Sequence, residues 1–297
     1  MLARSSRRCF SSGRAAVDRS GALRRAMADP RMKAAMNAAP AWWVVTDLDG
    51  TLMDHRYDWQ PAEAAMRRLQ DRGIPVIPAR ARRQRRCGAF ALRRGCTIPF
   101  IVENGGAVCG ETEDGVPWEL ALGEPAEALR PVLRELERLV QEPLQALDAL
   151  TEEQAAALLG LTGEALQRAA RRRWSLPFVP PSALGRQRLP GLAHGLGVAV
   201  VQGNRMGHLL GAQVSKGRAL AHLKAHCRAE TVQVLALGDS PNDMPLLDAA
   251  DVAVVVPGAQ GPHAVFAEAL ASGRFQLAPA PHGAGWSAAV QALLLKS

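Results

Sequence analysis

Cysteine and lysine are scarce in this 297-residue sequence, and it has no long apolar run. The five cysteines are odd in number and include no C-x-x-C pair, which argues against a zinc site or a disulfide framework and is typical of a reducing compartment. No apolar run approaches the ~18 residues that cross a bilayer, so we expect no membrane span. Because only four lysines stand beside 32 arginines, a lysine at a critical position is unusually informative.

Positive charge is concentrated at the start of the sequence. Of the net charge of +8, +7 lies in residues 1–40, which are rich in Arg and Ser and contain only two acidic residues. This composition is typical of an organellar transit peptide, and the alternatives are a disordered extension or a start codon assigned too early. We predict that residues 1–40 take no part in the fold and that the protein is cytoplasmic, unless this segment directs it to an organelle.

The basic pI gives little support for a nucleic-acid partner. A pI near 9.9 is typical of proteins that bind nucleic acid, but residues 41–297 are nearly neutral. The Arg cluster at 80–94 contains one aromatic residue, Phe90, and no recognition motif. We predict a small-molecule partner and neither a nucleic-acid nor a membrane partner, and the sequence leaves the oligomeric state open.

Short apolar strands alternate with amphipathic helices in two parts of the chain. The pattern predicts strands over 42–46, 74–77, 100–102, 232–237 and 252–256, and helices over 61–72, 216–227 and an Arg-rich stretch that reaches Arg94. Such alternation indicates an α/β fold whose parallel sheet carries helices on both faces.

The region between these two parts has a different pattern. Residues 111–204 contain helical patterns over 124–140 and 151–174, with Thr151 as an N-cap and Gln154 completing a capping box. We therefore predict one α/β domain in two pieces, residues 41–110 and 205–297, with a smaller domain inserted over residues 111–204.

Paired carboxylates follow two of the predicted strands. Asp47 and Asp49 come after the first strand, and Asp239 and Asp243 follow a later one. Ligands of parallel α/β sheets bind at the carboxyl ends of the strands, where four like charges would repel one another. A hard divalent cation such as Mg²⁺ resolves this repulsion with oxygen ligands. For either pair alone, an ordinary loop or helix cap is the alternative.

The DLDGT and GDSPND motifs resemble those of the haloacid dehalogenase-like (HAD-like) phosphatase superfamily. The resemblance implies a Rossmannoid parallel sheet, with Asp47 as the nucleophile that forms an aspartyl-phosphate and Asp49 as general acid and base. It implies Mg²⁺ bound by Asp47, Asp49, Asp239 and Asp243. Lys216, in Ser215-Lys216-Gly217, stands where the family places its catalytic lysine; a solvated surface lysine is the alternative.

The large insertion indicates the branch of the superfamily with a C2-type α+β cap domain. Segments at 103–106, 119–125, 150–153, 172–178, 203–209 and 215–217 resemble the mannosyl-3-phosphoglycerate phosphatases. This resemblance implies a phosphoric monoester hydrolase that converts mannosyl-3-phosphoglycerate to mannosylglycerate, a compatible solute, with Mg²⁺. The predicted substrate contacts are Arg80, Glu103, Asn104, Gly105, Arg205, His208, Ser215 and Asn242. Surface or core roles are the alternative for Arg205 and His208.

The second motif of the superfamily is altered. It places a Ser or Thr at the end of the second strand, but no hydroxyl side chain occurs from Ile74 to Gly95, and Arg80 and Ala81 stand there instead. Arg80 could bind phosphate in place of the hydroxyl, or the chemistry could be impaired. The alternative functions are a catalytically impaired phosphosugar-binding protein and a phosphatase of another sugar phosphate, such as sucrose phosphate.

Overall fold

A parallel five-stranded sheet lies at the centre of the computed structural model, which describes residues 42–80, 98–112, 114–203 and 205–295. The predictions for residues 1–40, for Ala81 and for the Arg-rich helix that reaches Arg94 lie outside the described residues.

Eleven strands and nine α-helices are present in the described part of the chain. The strands are β1 (Trp42–Thr46), β2 (Val76–Pro78), β3 (Phe100–Val102), β4 (Ala107–Glu111), β5 (Pro117–Ala121), β6 (Leu176–Phe178), β7 (Val198–Gln202), β8 (Gly207–Gly211), β9 (Gln233–Gly238), β10 (Val252–Val255) and β11 (Gln276–Leu277). The helices are α1 (Gln60–Asp71), α2 (Ala126–Val140), α3 (Glu152–Leu159), α4 (Gly163–Ala170), α5 (Ala183–Gly195), α6 (Lys216–Cys227), α7 (Met244–Asp248), α8 (Ala267–Ala271) and α9 (His282–Leu294).

The central sheet has the strand order β11-β10-β9-β1-β2, and all neighbouring strands are parallel. Alternate residues of β1 face opposite sides: Val44 packs with Leu235 in one apolar cluster, and Val45 packs with Ala236 in the other. Because helices cover both faces, both sides of the strand are apolar. The predicted α/β class with a parallel central sheet is confirmed.

The third predicted strand does not continue this sheet. β3 pairs with β4 in the antiparallel direction, with Phe100 opposite Cys109, and β5 completes a three-stranded sheet. A single parallel bridge, between Ala79 and Ile101, links β3 to the end of β2. The connection from β3 to β4 is too short for a parallel crossover, so the chain can return only as a hairpin.

The inserted region contains strands as well as helices. β6, β8 and β7 form an antiparallel sheet in that order, against which α2 and α5 pack apolar residues such as Leu136 and Leu189. The predicted boundary at 110/111 falls inside β4, and the boundary at 204/205 falls inside the β7–β8 hairpin. The sequence patterns miss six strands: β4, β5, β6, β7, β8 and β11. β5 and β6 each contain a proline, a residue that is rare inside strands.

The helix predicted over 151–174 is two helices. The predicted capping box is present, since Thr151 Oγ1 accepts from the Gln154 N–H at 3.2 Å and Gln154 Oε1 accepts from the Thr151 N–H at 3.0 Å. Gly160 then ends α3 in the left-handed conformation (φ +65°), which glycine adopts without steric cost. No helix in the described ranges is long and apolar enough to cross a bilayer.

Candidate active site

Lys216 lies between two aspartates at the carboxyl ends of adjacent strands. Asp47 follows β1, Asp243 lies in the turn after β9, and Lys216 Nζ is 2.5 Å from Oδ1 of each. The Lys216 side chain is fully buried. These residues therefore form a buried cluster of one cation and two carboxylates, although 169 positions separate Lys216 from Asp47 in the sequence.

The first turn of α6 places Lys216 in this cluster. Ser215 is the N-cap, and its Oγ accepts from the Arg218 N–H at 3.1 Å. Gly105 (φ +100°) packs against the same turn, because a Cβ on Gly105 would lie only 2.1 Å from the Ser215 carbonyl oxygen. The helix dipole disfavours a cation at a helix N-terminus, so the neighbouring carboxylates must stabilise the Lys216 charge.

Asp239 joins the loop after β1 to the loop after β9. Thr51 Oγ1 donates to Asp239 Oδ1 at 2.7 Å. Gly50 (φ +102°) packs against the same carboxylate, since a Cβ on Gly50 would lie 2.4 Å from Asp239 Oδ2. Asp49 is partly buried and lines the adjoining cavity. The four predicted aspartates are therefore brought to one edge of the sheet.

The turn after β9 is fixed by its own side chains. Asp243 Oδ2 accepts from the backbone N–H groups of Asp239 and Ser240, both at 3.1 Å. Asn242 Nδ2 donates to Asn104 Oδ1 at 3.0 Å, so two of the predicted substrate residues contact each other. The Asn104 Nδ2 donor is buried and has no hydrogen-bond partner among the described residues.

Three carboxylates are arranged as a cation site. One oxygen each from Asp47, Asp239 and Asp243 lies within 4.8 Å of the other two. Oxygen ligands of this kind suit a hard divalent cation. The described residues therefore fit the predicted metal site at Asp47, Asp239 and Asp243.

Burial and neighbouring charges shift the pKa values of the cluster. Burial raises the pKa of Asp47 well above its ordinary value, and Asp243 and Asp239 add to this increase while Lys216 opposes it. Burial and the charge of Asp243 raise the pKa of Asp239 to about 7. Burial alone would lower the pKa of Lys216, but Asp243 and Asp47 raise it above its ordinary value. A bound divalent cation would neutralise the remaining negative charge.

A cavity of about 440 Å³ lies above the aspartates. The sheet edge and its loops contribute Asp47, Asp49, Gly50, Asp54, His55, Tyr57, Ser240 and Asn242. The inserted region contributes Leu147, Leu159, Ala169, Arg172, Pro177, Gly203, Arg205, Met206 and His208. The cavity therefore has carboxylates on one part of its wall and basic and apolar side chains on another.

Only some of the predicted substrate residues line this cavity. Arg205, His208 and Asn242 line it. Arg205 also donates to the Leu159 carbonyl at the end of α3, and His208 is almost fully buried on β8. The remaining members of the predicted set are not among its described lining residues: Arg80, Glu103, Asn104, Gly105 and Ser215.

Glu103 has a different environment from the one expected of a substrate contact. Its side chain is fully buried, and its Oε2 accepts from the Trp174 N–H at 2.8 Å and from Ser175 Oγ at 2.9 Å. The Arg173 N–H also donates to this carboxylate, at 3.1 Å. The structure therefore uses Glu103 to hold the segment that leads into β6.

Sequence reasoning missed several residues of the cavity wall. Arg172 lines the cavity, and its Nε donates to the Ala169 carbonyl at 2.8 Å, which orients the guanidinium. Asp54, His55 and Tyr57 line it from the loop that follows Thr51. Two signals in the sequence could have indicated these residues. Asp54, His55 and Tyr57 come shortly after the DLDGT motif, and Arg172 lies within the 172–178 segment.

Comparison with known proteins identifies the family. A sequence profile of the haloacid dehalogenase-like hydrolases matches residues 44–118 and 186–269, more than half of the 297 residues. The chain therefore belongs to the haloacid dehalogenase-like hydrolase family. The resemblance that its DLDGT and GDSPND motifs carry is confirmed.

Two curated relatives share the same name, glucosyl-3-phosphoglycerate/mannosyl-3-phosphoglycerate phosphatase. The protein from Persephonella marina is 26% identical over 72% of this chain and 84% of its own length. The protein from Methanococcoides burtonii is 27% identical over 86% of this chain and 97% of its own length. With the family, these relatives confirm the predicted class of enzyme, a phosphoric monoester hydrolase.

Solved structures confirm the fold. The sucrose-phosphatase from Synechocystis, determined with sucrose and phosphate, superposes with a TM-score of 0.55 at 17% identity and covers 85% of this chain and 96% of its own. A protein from Thermoplasma acidophilum gives a TM-score of 0.60 at 18% identity, over 86% of this chain and 98% of its own. The fold is thus the HAD-like Rossmannoid sheet with an inserted cap domain.

Proposed function

We propose that the protein is a Mg²⁺-dependent phosphatase of a glycosyl-3-phosphoglycerate, and that mannosyl-3-phosphoglycerate, hydrolysed to mannosylglycerate, is its substrate. The observation that carries this proposal is the position of Lys216 between Asp47 and Asp243, with Asp47 lining a cavity that has basic side chains on its wall. The names of the two curated relatives support the choice of substrate.

The chemistry we propose has two steps at one phosphorus atom. Lys216 holds Asp47 through Oδ1, so Oδ2 attacks the phosphorus, the ester P–O bond breaks, and Asp49 donates a proton to the leaving oxygen. Asp49 then takes a proton from water, the water oxygen attacks the aspartyl-phosphate, and inorganic phosphate leaves Asp47. Lys216 stabilises the phosphate oxygens as their charge changes.

The proposed metal site consists of Asp47, Asp239 and Asp243 with the main-chain carbonyl of Asp49. One oxygen of each of the three carboxylates lies within 4.8 Å of the other two, and the burial of Asp47 and Asp243 favours a bound cation that balances their charge. Mg²⁺ bound at this place would neutralise phosphate and carboxylate charge during transfer.

The inserted region contributes basic residues to the cavity wall, and these favour a substrate that has a second negative group besides its phosphate. A glycosyl-3-phosphoglycerate carries a carboxylate as well as its phosphate, and Arg172, Arg205 and His208 are the basic residues contributed by that wall. An arginine can bind a carboxylate through two parallel hydrogen bonds. We therefore assign the glycerate carboxylate to this group and the phosphate to the aspartate side, where the buried Asn104 amide and Asn242 lie.

Arg80 is proposed to take the place of the missing hydroxyl. It follows β2 at the edge where Asp47 follows β1, since Thr46 pairs with Pro78, and it is buried. We expect Arg80→Thr to lower kcat/KM by about 10- to 100-fold, as expected for a lost charged hydrogen bond, and Arg80→Lys to lose less. Phosphate release by the two variants measures kcat/KM, and a large rise for the Thr variant would contradict the proposal that Arg80 binds the phosphate.

The proposed activity is tested by phosphate release from a substrate panel. We expect turnover of mannosyl-3-phosphoglycerate with Mg²⁺, weaker turnover of sucrose 6-phosphate and simple sugar phosphates, and none with EDTA. Glucosyl-3-phosphoglycerate belongs in the panel because the relatives' names include it. Fastest turnover of sucrose phosphate would move the assignment to that substrate.

A non-catalytic phosphosugar-binding protein is the second candidate, and the absence of a hydroxyl side chain between Ile74 and Gly95 favours it. The panel separates the two, because a pure binder gives calorimetric binding of the phosphorylated sugar without phosphate release. Retention of Asp47, Asp49 and Lys216 supports the enzyme, since a binder has no use for a nucleophile and an acid.

A further inference from the structure

The loop that carries Asp49 is held at both ends by helix α9. At its start, Trp286 Nε1 donates to Thr46 Oγ1 at 3.0 Å, and Thr46 Oγ1 donates in turn to the Asp47 carbonyl at 2.7 Å. Further along, His282 Nδ1 lies 2.7 Å from the Gly50 carbonyl oxygen. A carbonyl oxygen can only accept, so the His282 ring donates this hydrogen bond from Nδ1.

Gly50 is closely packed and hydrogen-bonded in this loop. Gly50 directly follows Asp49, and its Cα packs so closely on Asp239 that a Cβ there would clash with the carboxylate. The Gly50 N–H donates to the Met53 carbonyl at 2.8 Å. The Met53 carbonyl therefore holds the Asp49–Gly50 peptide, and His282 holds the Gly50–Thr51 peptide that follows it.

His282 is itself fixed in place. Its backbone N–H donates to the Pro257 carbonyl at 3.2 Å, and the ring packs edge-on against His55 with centroids 5.3 Å apart. His55 lines the cavity. The His282 backbone has φ +50°, a left-handed conformation that glycine and asparagine adopt more readily than other residues.

We propose that His282 is a positioning residue, whose Nδ1 hydrogen bond to the Gly50 carbonyl sets the orientation of Asp49 for proton transfer and metal binding. The inference rests on the proposed roles of Asp49. His282 is not among the described residues of the cavity wall, so it acts through the loop and does not touch the substrate.

Three substitutions separate the hydrogen bond from the backbone conformation. His282→Asn keeps an N–H donor attached to Cγ and tolerates φ +50°. His282→Gly tolerates the backbone but removes the donor, and His282→Leu keeps side-chain bulk against His55 without a donor. We expect the Gly and Leu variants to lose about 10- to 100-fold in kcat, as for a misplaced catalytic group, with KM within about 2-fold of the wild type. The Asn variant keeps kcat within about 3-fold of the wild type, because it keeps the donor.

The second measurement is Mg²⁺ affinity, by calorimetric titration without substrate. Loss of an outer hydrogen-bond partner weakens metal binding by about 10-fold or more, so we expect weaker binding in the Gly and Leu variants and near-normal binding in the Asn variant. The inference is overturned if all three variants lose kcat equally or lose Mg²⁺ affinity equally. It is also overturned if no variant loses either one. If the wild type releases no phosphate from any substrate, the proposed function fails, and Mg²⁺ affinity alone decides the role of His282.

Discussion

Asp47→Asn should abolish phosphate release, with a fall in kcat on the order of 10⁴-fold or more, because the amide cannot form the acyl-phosphate bond. The protein should still fold, since Lys216 keeps its ion pair with Asp243. Steady-state phosphate release with Mg²⁺ measures the loss, and intact-mass spectrometry of acid-quenched enzyme should detect a phosphorylated species in the wild type and none in the variant.

Asp54→Asn is the matched control for this experiment. Asp54 lines the same cavity, but its carboxylate accepts the backbone N–H groups of Arg56 and Asp58, at 2.8 and 2.9 Å. We expect this variant to keep kcat within about 10-fold of the wild type, because both N–H groups donate to one oxygen, Oδ1, which asparagine retains. Comparable losses in the two variants would mean that the negative charge of the cavity, and not nucleophilic attack by Asp47, supports turnover.

Lys216→Met should be strongly destabilising. Methionine removes the cation that contacts two buried carboxylates, and leaving buried charge without its partner lowers the free energy of unfolding by about 3–5 kcal/mol. Urea unfolding in EDTA measures the change. Saturating Mg²⁺ should recover part of it, because the cation binds the same carboxylates and adds binding free energy to the folded state.

Lys224→Met supplies the control in the same helix. Lys224 Nζ donates to the neutral Val232 carbonyl at 2.8 Å, so its loss should lower the free energy of unfolding by only about 1 kcal/mol. If both variants are equally stable in EDTA, the aspartates around Lys216 are not held as charged groups. Lys216→Met should also lack phosphatase activity at temperatures where it remains folded, since the phosphate would lose its stabilising ammonium.

The aspartate site could be predicted because its residues closely follow predicted strands. An apolar β-branched run followed by Asp47 fixes the carboxylate at the edge of a parallel sheet, and the same reasoning places Asp239. Lys216 could be singled out because it stands where the resembled family places its catalytic lysine, and the scarcity of lysine in this sequence strengthens that choice. These inferences depend on local patterns and on the common direction of parallel strands.

The role of Glu103 could not be predicted in this way. Its hydrogen-bond partners lie 70 to 72 residues further along the chain, and no local pattern specifies such a pairing. The same applies to His282, whose partner Gly50 is 232 residues away. The direction of β3 was missed for a different reason: the apolar run is identical for either direction, and only the short β3–β4 connection decides between them.

The order in which the ribosome makes these residues has a consequence for maturation. β1 is synthesised early, but its sheet neighbour β9 follows much later, as the Thr51–Asp239 contact illustrates with a separation of 188 residues. The aspartates after β1 must therefore wait for Lys216, Asp239 and finally the start of α9. A nascent chain that ends before His282 contains Asp47 and Lys216 but lacks His282 and Trp286, whose side chains hold the loop that carries Asp49. We therefore expect catalytic competence to arise late in synthesis.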